Sequence, residues 1–462
     1  MIAMDFNWIA KVLQCEVPEG SAPVLNINTD TRTVSHGEVF LALSGANFDG
    51  HAFVADAHAK GAIAAIVSRK VDVNLPQFVV ADTRIALGLL GKAVIEQVKP
   101  KTIAITGSVG KTTVKEMCAA ILRQKGKTLA TNGNFNNDIG VPLTLLRLSA
   151  DDEYAVIELG ANHIGEIAYT TQLVSPDVAT VCNVAPAHIE GFGSIDGVGQ
   201  AKGEIFTGLK ANGTALLNDD CSYANDWLAH LTSQQVQRFA AQTERDYWPS
   251  EISLDEVARA TFTLHTPQGE ARLSLPLSGR HNVVNAIIAA GLTMAVGATL
   301  SEVVNGLTQM GEVKGRVNLV KVSSQLTVID DSYNANVKSV KAAIDLLADL
   351  PTKQVLVLGD MGELGPDANT YHSEIGEYAK AAGLDALFTL GKLTAHSSAA
   401  FAAAGGHYSE REALLDALNA YLAELTLPVT ILVKGSRSAR MELVAQALIS
   451  LGRQGNKGEV TC

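Results

Sequence analysis

The apolar residues of this chain fall into two alternating patterns. One is a short unbroken run that stops at a glycine, an aspartate or an asparagine, as in "KTIAITG", "YAVIELG", "DVATVCNV" and "GTALLND". The other spaces its apolar residues at three and four, as in "VKEMCAAILRQKG", where Val114, Met117, Cys118, Ile121 and Leu122 share a face. Short runs without polar interruption predict strands buried on both sides, and the wider spacing predicts amphipathic helices. Strand then helix, repeated, implies parallel pairing, because the return to the next parallel strand needs a crossover of helical length.

Three blocks follow this rule differently. Residues 1–83 hold strand candidates in "EVFLALSG", "AIAAIVS" and "FVVAD" and a helix in "HAFVADAHAKGA", and residues 84–98 predict a helix leading out. Residues 84–313 carry the four runs above, then alternating material that turns at "TPQGE" and predicts antiparallel hairpins, then a helix in "HNVVNAIIAAGLTMAVG" ended by Gly297. Residues 314–462 repeat strand and helix through "LTVIDD", "QVLVLGD", "DALFTLG" and "VTILVKG". The predicted fold is α/β in three domains: a small N-terminal α/β domain, a central P-loop-type domain with a mostly parallel sheet, and a C-terminal Rossmann-like domain.

A length of 462 residues fits three domains at about 150 residues each. The net charge of −12 argues against broad nucleic-acid binding, which needs a basic face. An anionic small ligand stays open, held by a helix N-terminus, a metal ion or a few placed Lys and Arg. The cysteines (Cys15, Cys118, Cys182, Cys221, Cys462) form no CxxC pair and are odd in number, which reads as reduced thiols in a cytoplasmic protein. "MIAMDFNWIAKVLQ" brings polar residues too early for a signal peptide, and no apolar run reaches the roughly 20 residues of a membrane span.

The chemistry starts at "TGSVGKTT". Gly107 and Gly110 allow backbone angles that a Cβ forbids, so the N–H groups of Gly107, Ser108, Val109, Gly110, Lys111, Thr112 and Thr113 can line a phosphate concavity at a helix start. Lys111 supplies a mobile charge and Thr112 a hydroxyl for Mg²⁺. The full pattern wants a glycine at 105, where this chain has Ile105, so the motif is a shorter G-x-x-G-K-T. The plain alternative is a glycine turn with an incidental lysine. Glu158 closes a neighbouring run on the same side and is placed to share the cation with Thr112, or else is a solvated strand-end carboxylate. His188 and Lys202 carry no meaning by spacing alone.

The blocks "TGSVGKTT", "ELGANH", "NVAPAHIEGFGS", "AKGEIF", "GRHNVVNA", "DDSYNAN" and "LVKGSRS", in that order, resemble a Mur ligase over essentially the whole chain. These ATP-dependent enzymes build the peptide stem of peptidoglycan. "GNFNNDIGVPLTLLRL" and "VLGDMGELG" are most similar to the branch that adds D-alanyl-D-alanine, and the "DNPR" of the diaminopimelate-adding relative is absent.

The resemblance implies ATP, two Mg²⁺ ions, the substrates UDP-MurNAc-tripeptide and D-Ala-D-Ala, and a monomer. Lys202 would be carbamylated, turning a cation into an oxygen ligand, and with His188 would hold the second ion. Asn282 would meet adenine, unless it caps its helix. Arg316 would reach phosphate and Asp331 the ribose or adenine side. Within the cluster Asn134, Asn136, Asn137 and Asp138, the resemblance favours ligand contact over a turn, with Asn137 taken as the contact. Asn334 lies in the third domain's loop, where Val337 replaces a common proline. Lys434, Ser436 and Arg437 would grip the acceptor carboxylate, and Asp360 and Glu363 its ammonium. Thr29, Asp30 and Arg32 would hold the UDP-sugar, unless Arg32 merely pairs with Asp30. Two rival expectations remain: another amide ligase of this fold, of the folylpolyglutamate synthetase type, or a P-loop switch or ATPase.

Overall fold

The computed structural model describes residues 2–20, 22–45, 48–186, 189–229, 231–311, 313 and 315–455. Near the N-terminus, strands β1 (Asn26–Asn28), β2 (Glu38–Leu41), β3 (Ala64–Val67) and β4 (Gln77–Val79) pair in parallel in that order. Every residue of β2 and β3 is buried. Helices α1 (Phe6–Leu13) and α2 (Val54–Ala59) flank the sheet, and the segment read as one helix in fact opens as a 3₁₀ turn at Gly50–Phe53.

Helix α3 (Thr83–Val98) starts where Asp82 accepts hydrogen bonds from the N–H groups of Arg84 and Ile85. It is more than a connector. Leu87, Leu90 and Val94 enter one core with Leu41 and Ile66 of the first sheet and Ala104 and Ile157 of the second.

The second sheet has six parallel strands: β5 (Lys101–Thr106), β6 (Thr128–Ala130), β7 (Tyr154–Glu158), β8 (Val178–Val181), β9 (Thr214–Asn218) and β10 (Gln235–Phe239). Their order is β6-β7-β5-β8-β9-β10. The chain leaves β5 for one side and later returns to the other, so a crevice opens beyond the C-terminal ends of β5, β7 and β8. Register fixes what meets there: Glu158 pairs with Ile105, and Val181 with Thr106. Helix α4 (Lys111–Leu122) follows β5 directly. Beyond it lie α5 (Gly140–Leu145), α6 (Glu166–Val174) and α7 (Ile195–Gly203).

Strands β11 (Trp248–Leu254), β12 (Arg259–Thr266) and β13 (Gly269–Ser278) form the antiparallel sheet that the alternation predicts. Its Phe262, Leu264 and Leu275 share a core with Met117 and Ile121 of α4 and Ala286 and Ile287 of α8 (His281–Ala295). Helix α9 (Leu300–Thr308) is closed by a capping box between Thr299 and Glu302.

The last sheet is β14 (Asn318–Lys321), β15 (Leu326–Asp331), β16 (Lys353–Gly359), β17 (Ala386–Leu390), β18 (Ala404–Tyr408) and β19 (Val429–Lys434), ordered β14-β15-β19-β16-β17-β18. It is parallel except for β14, an antiparallel edge that hydrophobic pattern alone does not reveal. Helices α10 (Val337–Ala348), α11 (Ala368–Ala381), α12 (Ala395–Phe401), α13 (Arg411–Glu424) and α14 (Glu442–Gly455) cover its two faces. Asp331 and Lys434 are register partners at the ends of adjacent strands. No described helix is long and apolar enough to cross a membrane.

Candidate active site

The phosphate loop owes its shape to two glycines. Gly107 has φ 152° and Gly110 φ 85°, and a Cβ on Gly110 would sit 2.7 Å from the side-chain oxygen of Asn285. Not all of the loop's N–H groups are open to a ligand. Ser108 N donates to the Asn183 carbonyl and Val109 N to Asn183 Oδ1, each at 3.0 Å, while Asn183 Nδ2 donates back to the Val109 carbonyl at 3.0 Å. Ser108 Oγ donates to the Ala185 carbonyl at 3.0 Å. This corrects the expected cradle. Ser108 and Val109 are instead tied to the loop after β8.

Lys111 curls over the turn, with Nζ donating to the Gly107 carbonyl at 2.7 Å. Desolvation pushes its ammonium below the usual lysine range, against the opposing pull of Glu158. Thr112 Oγ1 donates to Glu158 Oε2 at 2.9 Å, and Asn136 Nδ2 donates to Glu158 Oε1 at 2.8 Å. Glu158 is only 2% exposed, so it is not a solvated strand end. Asn137, the expected contact, instead accepts from Gly140 N at 2.8 Å and shapes the turn into α5. The neighbouring Asn136 is the amide that reaches the carboxylate.

Lys202 lies in the last turn of α7 and is buried. Desolvation, with repulsion from Lys111 second, brings its pKa to about 7, and its Nζ sits 5.9 Å from the Phe192 ring centre. Among the described residues no carboxylate pairs with it. His188 lies outside the described residues.

A cavity of 680 Å³ runs from this loop to the last sheet, lined by Gly110, Asn183, Asn282, Arg316, Asp331 and Lys434 among others. Asn282 does not cap its helix by accepting from it. Its Nδ2 donates to the Ser278 carbonyl and its Oδ1 accepts from Asn285 Nδ2, both at 2.9 Å. Arg316 places Nη2 3.4 Å from Thr112 Oγ1 and stacks 4.3 Å from the Tyr333 ring centre. Its buried Nε finds no partner among the described residues. Asn336 caps α10 by accepting from Ser339 N and also donates to the Ser108 carbonyl at 3.4 Å.

Lys434 lies on the same cavity, with its Nζ 2.5 Å from Asp331 Oδ2 and 2.9 Å from the Asn334 carbonyl. Burial lowers its pKa, and Asp331 works against that. The expected division, Asp331 for nucleotide and Lys434 for acceptor, meets a single buried ion pair. The Asn334 side chain accepts from Ala335 N at 2.9 Å.

The expected acceptor residues are largely committed to the protein. Asp360 Oδ1 accepts from Leu393 N and Thr394 N, and Oδ2 from Lys392 N, at 2.8 to 3.0 Å. Arg437 pairs with Glu442 at 3.0 Å, Ser436 Oγ lies 3.1 Å from Ser438 Oγ, and Glu363 is an exposed loop residue with φ 60°. In the first sheet's loops Arg32 forks onto Asp30 at 2.6 Å in open solvent, and Thr29 is half-buried beside it. Missed altogether were Asn183, Thr131 and the Asn136–Glu158 contact. No spacing rule marks a lone amide at a strand end, and only tertiary geometry brings it to the loop.

Family models match most of the chain. Residues 23–125 match the model described as Mur ligase family, catalytic domain; residues 105–293 the Mur ligase middle domain; and residues 315–437 the Mur ligase, glutamate ligase domain. The UDP-N-acetylmuramoyl-tripeptide–D-alanyl-D-alanine ligase of Escherichia coli K12 is 46% identical over 97% of this chain and 99% of its own. The enzyme of that name from Haemophilus influenzae is 44% identical over the same shares of the two chains. A crystal structure of MurF from Acinetobacter baumannii superposes with a TM-score of 0.92 at 37% identity, covering 97% of this chain and 99% of that one. With the family models covering most of the chain and near-full-length relatives at 46% and 44% identity, the chain belongs to the Mur ligase family.

Proposed function

We propose that the chain joins D-Ala-D-Ala to UDP-MurNAc-tripeptide with the energy of ATP, as the names of its relatives in Escherichia coli and Haemophilus influenzae state for them. The observation that carries this reading is the Thr112–Glu158–Asn136 cluster at the crevice, met by Arg316 from the turn before β14. The tripeptide's terminal carboxylate attacks the γ-phosphate of ATP, the bond to ADP breaks, and an acyl phosphate forms. The dipeptide's amine then attacks the acyl carbon, loses a proton, and phosphate leaves. Lys111, the α4 N-terminus and Arg316 stabilise the charge on the transferring phosphoryl.

Hard oxygen donors in a buried setting suit Mg²⁺, so Thr112 and Glu158 would hold one ion, and His188 with carbamylated Lys202 a second. Bound ions would neutralise phosphate charge and polarise the P–O bond. Among the described residues no three His, Cys, Asp or Glu side chains form a ready cage, which suits a cation held partly by substrate phosphates. Lys202 suits carbamylation for a chemical reason. Only the neutral amine attacks CO₂, releasing a proton as R–NH–COO⁻ forms, and an amine with pKa about 7 is largely neutral above that pH.

The three blocks 1–83, 84–313 and 314–462 would bring UDP-sugar peptide, ATP and D-Ala-D-Ala respectively to one point, in a monomer working in the cytoplasm, where nucleotide-activated precursors are made. A purified chain given all three substrates should yield ADP, phosphate and the pentapeptide precursor by mass spectrometry. Phosphate release at the same rate without D-Ala-D-Ala, and no ligated product, would favour the ATPase reading. Labelled CO₂ should give a carbamate carbon signal that Lys202→Ala abolishes.

A further inference from the structure

Helix α4 buries a lysine that the proposed chemistry does not use. Lys115 is 1% exposed, and an ammonium at that depth costs several kcal/mol unless its donors are satisfied. Its Nζ donates to the Thr131 carbonyl at 2.6 Å and pairs with the half-exposed Glu116 at 2.8 Å. Thr131 follows β6 and is itself 2% exposed. Its N–H donates to the Val156 carbonyl at 3.0 Å, and its Oγ1 accepts from Glu158 N at 2.9 Å.

The connections form a closed circuit. Thr112 and Lys115 lie three residues apart on one helix, hence on one face. Thr112 holds a Glu158 oxygen directly, while Lys115 holds Thr131, which holds the Glu158 backbone. Asn136 holds the other carboxylate oxygen. Backbone and side chain of Glu158 are therefore both referenced to α4, the helix that carries the phosphate loop. An apolar side chain of similar volume would fill the space under β6 at lower desolvation cost, but it would leave the Thr131 carbonyl without a donor and its peptide free to tilt.

We propose that Lys115, acting through Thr131, is a positioning residue that aims the Glu158 carboxylate for a divalent cation. The proposal rests on the assignment of Glu158 as a cation ligand.

The test uses Mn²⁺ as the probe, titrated by electron paramagnetic resonance into the full chain with a non-hydrolysable ATP analogue. Thr131→Val and Lys115→Met should each weaken Mn²⁺ about tenfold, the range for groups that orient a metal ligand. Thr131→Ser keeps the hydroxyl and should bind within about twofold of the parent, while melting close to Thr131→Val. A general loss of packing would instead move both Thr131 variants together. Glu158→Gln should lower the Mn²⁺ bound by one ion per chain. If it does not, the cation assignment falls. If Glu158→Gln loses the ion while Thr131→Val and Lys115→Met bind it like the parent, the positioning role falls. Should Lys115→Met fail to fold, the two Thr131 variants decide alone.

Discussion

Replacing Gly110 with alanine perturbs the site in two separable ways. At φ 85° an alanine pays a backbone strain of about 1–2 kcal/mol. Its Cβ also meets Asn285 Oδ1 at 2.7 Å, well inside van der Waals contact. Asn285 cannot yield freely, because its Nδ2 donates to Asn282 Oδ1 at 2.9 Å in a buried setting. Breaking that bond leaves a buried polar group unpaired, at about 1–3 kcal/mol. The loop escapes both costs by leaving its phosphate-ready shape, and a nucleotide must pull it back. The sum, about 2–5 kcal/mol, predicts nucleotide binding weaker by roughly 30- to 4,000-fold. Isothermal titration with ADP measures it. In an Asn285→Ala background the contact is gone, so Gly110→Ala should cost only the backbone part, about tenfold. Equal losses in the two backgrounds, with the fold intact by circular dichroism, would refute the steric half of the argument.

Asp331→Asn leaves the Lys434 ammonium buried with neutral acceptors alone, the Asn334 carbonyl among them, and should cost about 3 kcal/mol or more in urea unfolding. The double variant Asp331→Leu/Lys434→Met should unfold later than Asp331→Asn, and failure to do so would mean the pair is not the seat of the loss. Asp360→Ala frees three N–H groups at 392–394 and should cost about 1–2 kcal/mol, with faster amide exchange confined to that segment. His372 is fully buried, accepts from Met361 N at 3.0 Å, and is held by desolvation below its ordinary pKa of 6.5. The unfolded chain therefore takes up a proton below about pH 6.5 that the folded chain refuses. Stability is whole above that pH and falls as pH drops, by at most about 1.4 kcal/mol per unit. Thermal melts from pH 8 to 5 should slope less steeply in His372→Gln, and parallel slopes would sink the assignment.

What could be read from the sequence divides along a physical line. Strands inside the sheets announce themselves as short apolar-rich runs, with which β5, β7, β8, β15 and β19 all coincide. The short β6, the part-exposed β10 and the antiparallel edge β14 do not, since an edge strand tolerates polar residues and is defined by its neighbour. The same distinction runs through the site. Gly107, Gly110, Lys111 and Thr112 are adjacent in the chain, so their joint chemistry is visible in one line of sequence. Asn183, Asn136 and Thr131 act on the same loop and the same carboxylate from 74, 22 and 27 residues away. Each is a single neutral side chain, ambiguous alone between a turn and a contact, and choosing Asn137 over Asn136 turned on one residue of loop geometry. The carboxylate Asp360 is the converse case: sequence shows a loop charge, while only the fold shows the three backbone N–H groups it accepts from. Local sequence thus displays the groups proposed to touch phosphate. The groups that aim them sit on other strands, and it is the parallel register of β5, β7 and β8 that brings both sets to one end of the sheet.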